Sequence, residues 1–279
     1  MGKLMKEEFL ERVPDWYKSD EVFDVVLSDD IDGLVSTSIL NCMMWWNVGY
    51  YFDFTTLYCN CDTYFTENKT ATRVWADVAI IKEEKAFDNH VSRKNKEDRL
   101  NNLCINPNII NGITQQNYFD KYCGSTALLI WSLYDIPLPE SELGKMLLLS
   151  IDSTFKGFYG SPRFKAANHF YLCDMFGFEE LYECEKRHTK DEFYDLFDKY
   201  NLSKKTRIDK DGHLHTDLDL EVLSKELGIP VSVPDDSFIE YQNFEKKRVG
   251  DFYYPVKSIP QVVTAAYVGC NAVMYSKLA

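Results

Sequence analysis

The run Val25-Val26-Leu27-Ser28-Asp29-Asp30-Ile31-Asp32-Gly33 decides how this chain is read. Its apolar half predicts a strand and its Asp-x-Asp-Gly half a turn. Residues 33–47 beyond it predict a helix, with Leu34, Ser38, Leu40 and Met43-Met44 packed under a sheet. Asp30 and Asp32 stand two residues apart on the loop after the strand and project toward the same space. Such a pair is costly to hold together unless a metal ion or a phosphoryl group uses it. The plainer reading is a turn whose carboxylates cap the following helix.

Outward from that run, strands and helices alternate. Tyr50–Tyr58 predicts a second strand, rich in aromatic residues and threonine. Arg73-Val74-Trp75-Ala76-Asp77 predicts a third, and Lys85-Ala86-Phe87-Asp88 a very short fourth; both end in aspartate. Ile105-Asn106-Pro107-Asn108 marks an exit from the sheet, because the residue before a proline avoids helix. Helices are expected over 123–135, 140–149 and 163–176, after a short N-terminal helix over 5–13. This alternation implies an α/β fold with a parallel sheet. The charged stretch Glu183–Asp191 is the expected boundary between an α/β domain over 1–185 and a smaller α+β domain over 186–279. The second domain is expected to hold helices at 190–200 and 216–227 and strands near 229–234, 251–256, 261–268 and 271–276. Val268-Gly269-Cys270-Asn271 reads as a tight hairpin turn within it.

The bulk properties narrow the choice of partners. A length of 279 residues with 45% hydrophobic content supports a sizeable core. A formal net charge of −13 repels a long polyanion, so extended duplex DNA is not an expected partner. Small phosphate esters or short single-stranded oligonucleotides remain compatible, because a bound cation inverts the charge locally. No run approaches the ~18 apolar residues of a membrane span. The acidic start, Met1 to Glu8, lacks a secretory core and a myristoylation serine or threonine, so a cytoplasmic location and no membrane partner are expected. The eight cysteines are then expected to be reduced. Cys59-Asn60-Cys61 has no second pair at zinc spacing.

In an open α/β sheet, ligands bind at the carboxyl ends of the strands. Asp30, Asp32, Asp77 and Asp88 all fall at or just beyond such ends. A single strand-terminal aspartate is usually a turn former; three strand ends that each carry one converge on a site.

With these residues in view, the chain resembles the DHH phosphoesterase superfamily. That group includes RecJ-like exonucleases, oligoribonucleases, cyclic-dinucleotide phosphodiesterases and family II inorganic pyrophosphatases. Its first motif, H-x-D-x-D-G, is similar to Ser28-Asp29-Asp30-Ile31-Asp32-Gly33. Its strand-terminal aspartate corresponds to Asp77, and its D-H-H to Asp88-Asn89-His90. Asn106-Pro107-Asn108 followed by Cys123-Gly124-Ser125-Thr126-Ala127 is also similar, and its fourth aspartate corresponds to Asp152 in Leu148-Leu149-Ser150-Ile151-Asp152. The ordered set covers about residues 20–175 and does not extend to the C-terminal region, where the family's glycine-rich segment has no counterpart.

The resemblance implies metal-assisted hydrolysis of a phosphoester. It also predicts histidine where the chain has Ser28 and Asn89. The implied ligands are then Asp30, Asp32, Asp77 and Asp152 with the Asn89 amide oxygen. An all-oxygen set favours one or two Mn2+ or Mg2+ ions over zinc or cobalt. In this scheme Asp77 bridges the ions, Asp30 holds one, and Asp32 and Asp152 hold the other. His90 is expected to contact the substrate phosphate or the leaving group, with Arg163 and Lys156 as phosphate clamps.

Other readings stand beside this one. Loss of both histidines would also suit a non-catalytic relative that binds a phosphate ligand or a partner protein without turnover. Asp30-Ile31-Asp32-Gly33 could instead be the nucleophile motif of a haloacid-dehalogenase-like phosphatase. That mechanism needs a later acidic pair, and Asp235-Asp236, after a proline, is the one candidate. His213-Leu214-His215, among Asp209, Asp211, Asp217 and Asp219, is expected to be a solvated helix start capped by Thr216 rather than a metal site. The stripe Tyr50-Tyr51-Phe52-Phe54 is expected to be core strand rather than a base-stacking platform.

Overall fold

Within β1 (Asp24–Ser28), Val25 and Leu27 pack into one apolar cluster and Val26 into another, so both faces of the strand are covered. This is the environment of a central strand in a layered α/β fold. A computed structural model describes residues 3–65, 72–250 and 256–279 of the chain.

Ten further strands follow: β2 (Asn47–Phe52), β3 (Thr56–Asn60), β4 (Arg73–Ala76), β5 (Lys85–Phe87), β6 (Cys104–Ile105), β7 (Thr206–Ile208), β8 (Leu214–Thr216), β9 (Phe238–Gly250), β10 (Val262–Val268) and β11 (Ala272–Leu278). Among the described residues, nine of the eleven form one sheet in the order β10-β11-β9-β3-β2-β1-β4-β5-β6, and β7 pairs with β8 alone. The segment β2-β1-β4-β5-β6 is parallel, as expected. The strands β3, β9, β11 and β10 extend it in antiparallel fashion, so the sheet is mixed.

The helices Ile31–Met44 and Thr126–Leu133 cover one face, through Leu34, Val35, Leu128 and Leu129 against Val25 and Leu27. Phe244 of β9 and Val263 of β10 reach the other face and pack with Val26, Phe52 and Trp75. The Phe52 and Phe244 rings meet edge to face at 5.2 Å. Backbone bonds then tie β10 to the loops leaving β4 and β5. Ile81 N–H donates to Val263 at 3.0 Å, Ala265 to Ala79 at 2.9 Å, and Tyr267 to Val91 at 2.8 Å. The C-terminal hairpin therefore lies over the carboxyl ends of the parallel strands.

Several elements differ from the sequence reading. Tyr50–Tyr58 is not one strand but the β2–β3 hairpin. The Asp53 carboxylate accepts from the Thr55 and Thr56 amides at 2.8 and 2.7 Å, and Phe54 takes a left-handed φ of 71°. A side-chain turn of this kind is easily hidden in an aromatic run. Thr216 ends β8 instead of capping a helix; Asp219 caps the helix Leu220–Leu227 through the Val222 amide. The acidic residues near His213 form a turn, in which Asp209 accepts from the Asp211 and His213 amides.

No strand forms at 229–234, whereas β9 spans thirteen residues that were not expected to pair. Its side chains are mostly polar and exposed, so the strand carries no apolar alternation and is held by pairing on both edges. The strand expected near 251–256 falls on residues 251–255, outside those described. Glu183–Asp191 lies within and between the helices Glu179–Arg187 and Lys190–Lys199, joined by Thr189, which caps the second. The N-terminal helix is only Glu7–Leu10, and the helix expected over 163–176 changes from α to π geometry at Phe170–Met175. The turn at Gly269–Asn271, with Gly269 at φ 70°, joins β10 to β11 as expected. All eight cysteines are free thiols. No helix among the described residues is long and apolar enough to cross a membrane.

Candidate metal centre

The turn after β1 is built by its own side chains. The Asp30 carboxylate caps the helix Ile31–Met44, accepting from the Asp32 and Gly33 amides at 3.1 and 3.2 Å. Gly33 is required here, because a β-carbon would collide with the Ser28 hydroxyl. Capping and clustering, weighed as alternatives from the sequence, occur together at Asp30.

Asp32 is buried at 1% exposure and points away from solvent. Its two oxygens accept from the Thr126 and Ala127 amides at 2.7 and 2.8 Å, at the start of the helix Thr126–Leu133. The positive end of that helix thus faces a carboxylate. Asp77, at the end of β4, has φ 59° and is also buried. It accepts from Ser28 Oγ at 3.3 Å and from Thr126 Oγ1 at 3.2 Å. Asp152 lies beyond the helix Glu142–Ser150 at φ 48°, with one side open to solvent. Two adjoining aspartates in left-handed backbone are a local cost that side-chain placement offsets.

Asn89 connects these carboxylates. Its amide nitrogen donates to Asp152 at 2.9 Å, to the Gly124 carbonyl at 2.8 Å and more weakly to Asp32 at 3.4 Å. Its carbonyl oxygen, Oδ1, is buried and has no donor. A buried acceptor left unmatched is uncommon and expensive. With Asp32 and Asp152 contacting the same amide group, a cation is a partner whose charge fits the surroundings.

The electrostatics follow from this crowding. Burial, then the neighbouring Asp152 and Asp30 charges, push the Asp32 carboxyl up to about 8, against the pull of its two backbone donors. Burial and the charges of Asp32, Asp30 and Asp152 raise Asp77 well above the usual carboxylate range. Partial burial and Asp30 raise Asp152, while His90 and Lys121 oppose the rise. Asp30 moves the other way: burial would raise it, but the Lys205 ammonium and the Gly33 amide outweigh that and lower it. The Lys205 Nζ lies 2.9 Å from Asp29 Oδ1 and 3.2 Å from Asp30 Oδ2.

His90 stands at the rim. Its Nδ1 is 2.7 Å from Asp88, which in turn accepts from Asn106 Nδ2 at 2.8 Å. Burial works to lower the imidazole, but Asp88 overrides it and carries His90 up to about 9. Asp88→Asn is therefore expected to bring the His90 titration down by roughly two units or more, to its ordinary value near 6.5 or below. Imidazole NMR across pH 5–10 on metal-free protein measures this, and an unmoved titration would show that Asp88 does not set it.

His90, Asp30, Lys205 and Lys246 also line a cavity of about 200 Å³, together with Phe54 and with Tyr275 of β11. A larger cavity of about 630 Å³ opens near Asp24, at the other end of β1, and includes none of the cluster.

Comparison with known protein families, curated proteins and solved structures returned no match.

Asp30, Asp32, Asp77, Asn89, His90 and Asp152 are brought together by the fold; Arg163 and Lys156 are not part of their network. Arg163 forms a two-point pair with Asp120 at 2.9 and 2.6 Å, and Lys156 lies over the Tyr194 ring at 5.6 Å. The lysines whose charge bears on the cluster are Lys205, on Asp30, and Lys121, on Asp152, while Lys246 lines the adjoining cavity; none of them was singled out from the sequence. Thr126 was legible only as a helix start. Among the described residues, two groupings bring their ligand atoms within 4.8 Å of one another: Asp77, Asp88 and His90 at this site, and Glu142, Cys184 and His188 away from it; Asp30, Asp32 and Asp152 belong to neither. However, Glu142 is already engaged by Arg187 and His188, and burial drives the Cys184 thiol up to about 12, away from thiolate.

Proposed function

We propose that this chain is a metal-dependent phosphoesterase, a divergent relative of the DHH superfamily. Its substrates would be small nucleotides, short oligonucleotides or cyclic dinucleotides, cleaved at a phosphodiester or phosphomonoester bond. One observation carries the reading: Asp32 and Asp152 converge on the Asn89 amide, whose buried carbonyl oxygen has no donor, and the charges of both acids bear on Asp77. The donors are all oxygen, which suits Mn2+ or Mg2+. When bound, such an ion supplies Lewis acidity to a phosphoryl oxygen and to the attacking water.

The chain's own groups account for the remaining steps. His90, charged at neutral pH and held at Nδ1 by Asp88, offers its other ring nitrogen as a proton donor to the leaving oxygen. Lys205 and Lys246 face the phosphate charge from the cavity wall. The hairpin β10–β11 lines the same cavity through Thr264, Ala266, Met274 and Tyr275. A volume of about 200 Å³ suits one phosphoryl group with a small substituent better than a long strand.

A second reading, ligand binding without turnover, draws support from Asp30, whose oxygens are engaged by its own helix and by Lys205. Purified protein with Mn2+, assayed against phosphomonoesters, dinucleotides and cyclic dinucleotides, separates the two. Turnover that Asp77→Asn removes supports the enzyme. Calorimetric binding without turnover supports the binder, and neither result on any substrate would sink both.

A further inference from the structure

Lys205 is not a loosely placed surface lysine. The next residue, Thr206, is buried; its amide donates to the Asp29 carbonyl at 2.7 Å, and its own carbonyl accepts from Tyr51 Oη at 2.7 Å. The Lys205 backbone is thereby fastened to the turn after β1 and to β2. From that anchor its ammonium spans Asp29 and Asp30. The remaining Asp30 oxygen already accepts from the Asp32 and Gly33 amides. On this side of the cluster, Ser28 offers Asp77 a fully buried hydroxyl at 3.3 Å.

The two sides of the centre therefore differ. Around Asp77 and Asp152 lie a carboxylate open on one side, the donorless Asn89 carbonyl, His90 with its Nδ1 3.9 Å from Asp77, and the Lys121 charge acting on Asp152. At Asp30, in contrast, an ammonium contacts one carboxylate oxygen directly at 3.2 Å and two backbone amides engage the other. A divalent ion seated there would meet that charge with twice the repulsion of a unit cation at the same distance. It would also have to displace the ammonium from two carboxylates.

We infer that this centre holds one divalent cation rather than two, with the Lys205 ammonium standing in the position of the second. The inference rests on the metallo-enzyme reading above and goes beyond it in assigning the ion count and the residue that sets it. Lys205 is a positioning residue: it neutralises Asp30 and holds the β1 turn against β7.

Titration of the full-length protein with Mn2+, followed by equilibrium dialysis and electron paramagnetic resonance, tests the count. The wild-type chain is expected to bind one Mn2+ with an uncoupled six-line spectrum. Lys205→Met and the more conservative Lys205→Gln are expected to admit a second ion, at least roughly tenfold weaker, with a spin-coupled spectrum. Lys205→Arg retains the charge and is expected to stay at one. Circular dichroism confirms folding of each variant, and one folded neutral variant suffices. Two ions on the wild-type chain would overturn the inference and leave the metallo-enzyme reading standing. A count of one in a folded neutral variant would remove Lys205 as its cause. Absence of any bound Mn2+ would overturn both.

Discussion

Asp77→Asn is expected to abolish metal-dependent turnover and, at the same time, to stabilise the metal-free protein. The first effect follows from position. Asp77 ends β4 between Ser28 and Thr126 and faces Asp32, Asp30 and Asp152. Under the proposed function, removing its charge takes away the central anionic ligand, and a loss of roughly a thousandfold or more in kcat/KM is expected. The second effect follows from repulsion. Without an ion, Asp77 is a buried acid pushed far above its ordinary range, and a neutral amide of the same shape relieves that penalty. Asparagine also tolerates the left-handed φ of 59°, whereas alanine there adds a backbone cost of about 1–2 kcal/mol. Steady-state assays and thermal melts in EDTA at pH 8 read the two effects separately. A variant less stable than wild type under those conditions would assign Asp77 a structural rather than a metal-holding role.

The metal-free protein is expected to lose stability as pH rises from about 4 to about 8, and Mn2+ is expected to restore it. Asp32 titrates near 8 in the folded chain, and Asp77 is raised in the same direction. In the unfolded chain both ionise near 4. Below that pH neither state gains. Between the two values the unfolded chain releases protons that the folded chain keeps, so folding weakens, and the loss levels off above the folded value. His90 adds to the slope: its contribution is complete below its unfolded value of about 6.5 and is lost as pH passes through about 9. One group contributes at most about 1.4 kcal/mol per pH unit, and the coupling among these acids keeps the observed change to a few kcal/mol, or roughly 10 °C in Tm. An ion bound only by the folded state offsets the loss, most strongly at high pH. Melts at pH 5, 6.5 and 8, in EDTA and in Mn2+, supply the comparison. A flat Tm in EDTA would remove the strained carboxylate cluster from the account.

Much of the central site was legible because the rules that expose it are local. Asp30, Asp32 and Asp77 sit at strand ends that apolar runs announce, and a parallel sheet places such ends side by side. Asp152 and Asn89 were expected only from what the resemblance to the DHH superfamily implied. What the sequence concealed is also instructive. Lys205 lies 175 residues from Asp30, and no periodicity or spacing connects them. Arg163 and Lys156 looked suitable by charge alone, but Arg163 is held by Asp120 and Lys156 is drawn onto Tyr194. The long β9 was missed because its exposed polar residues carry no burial signal; its partners on both edges are what make it a strand.

By itself, the stretch from Val25 to Gly33 determined a buried strand, a carboxylate turn and a helix start, since side-chain alternation and capping act over a few residues. Only the tertiary structure decided how each acid is used. Asp30 is neutralised by a distant lysine, Asp32 is held by the first turn of another helix, Asp77 is held by Ser28 and Thr126, and Asp152 accepts from an Asn89 amide whose carbonyl is unmatched. The physical reason is range. Backbone preference is set by neighbours in sequence, whereas the charge and lone-pair balance of a site is set by whichever groups the fold brings within a few ångströms.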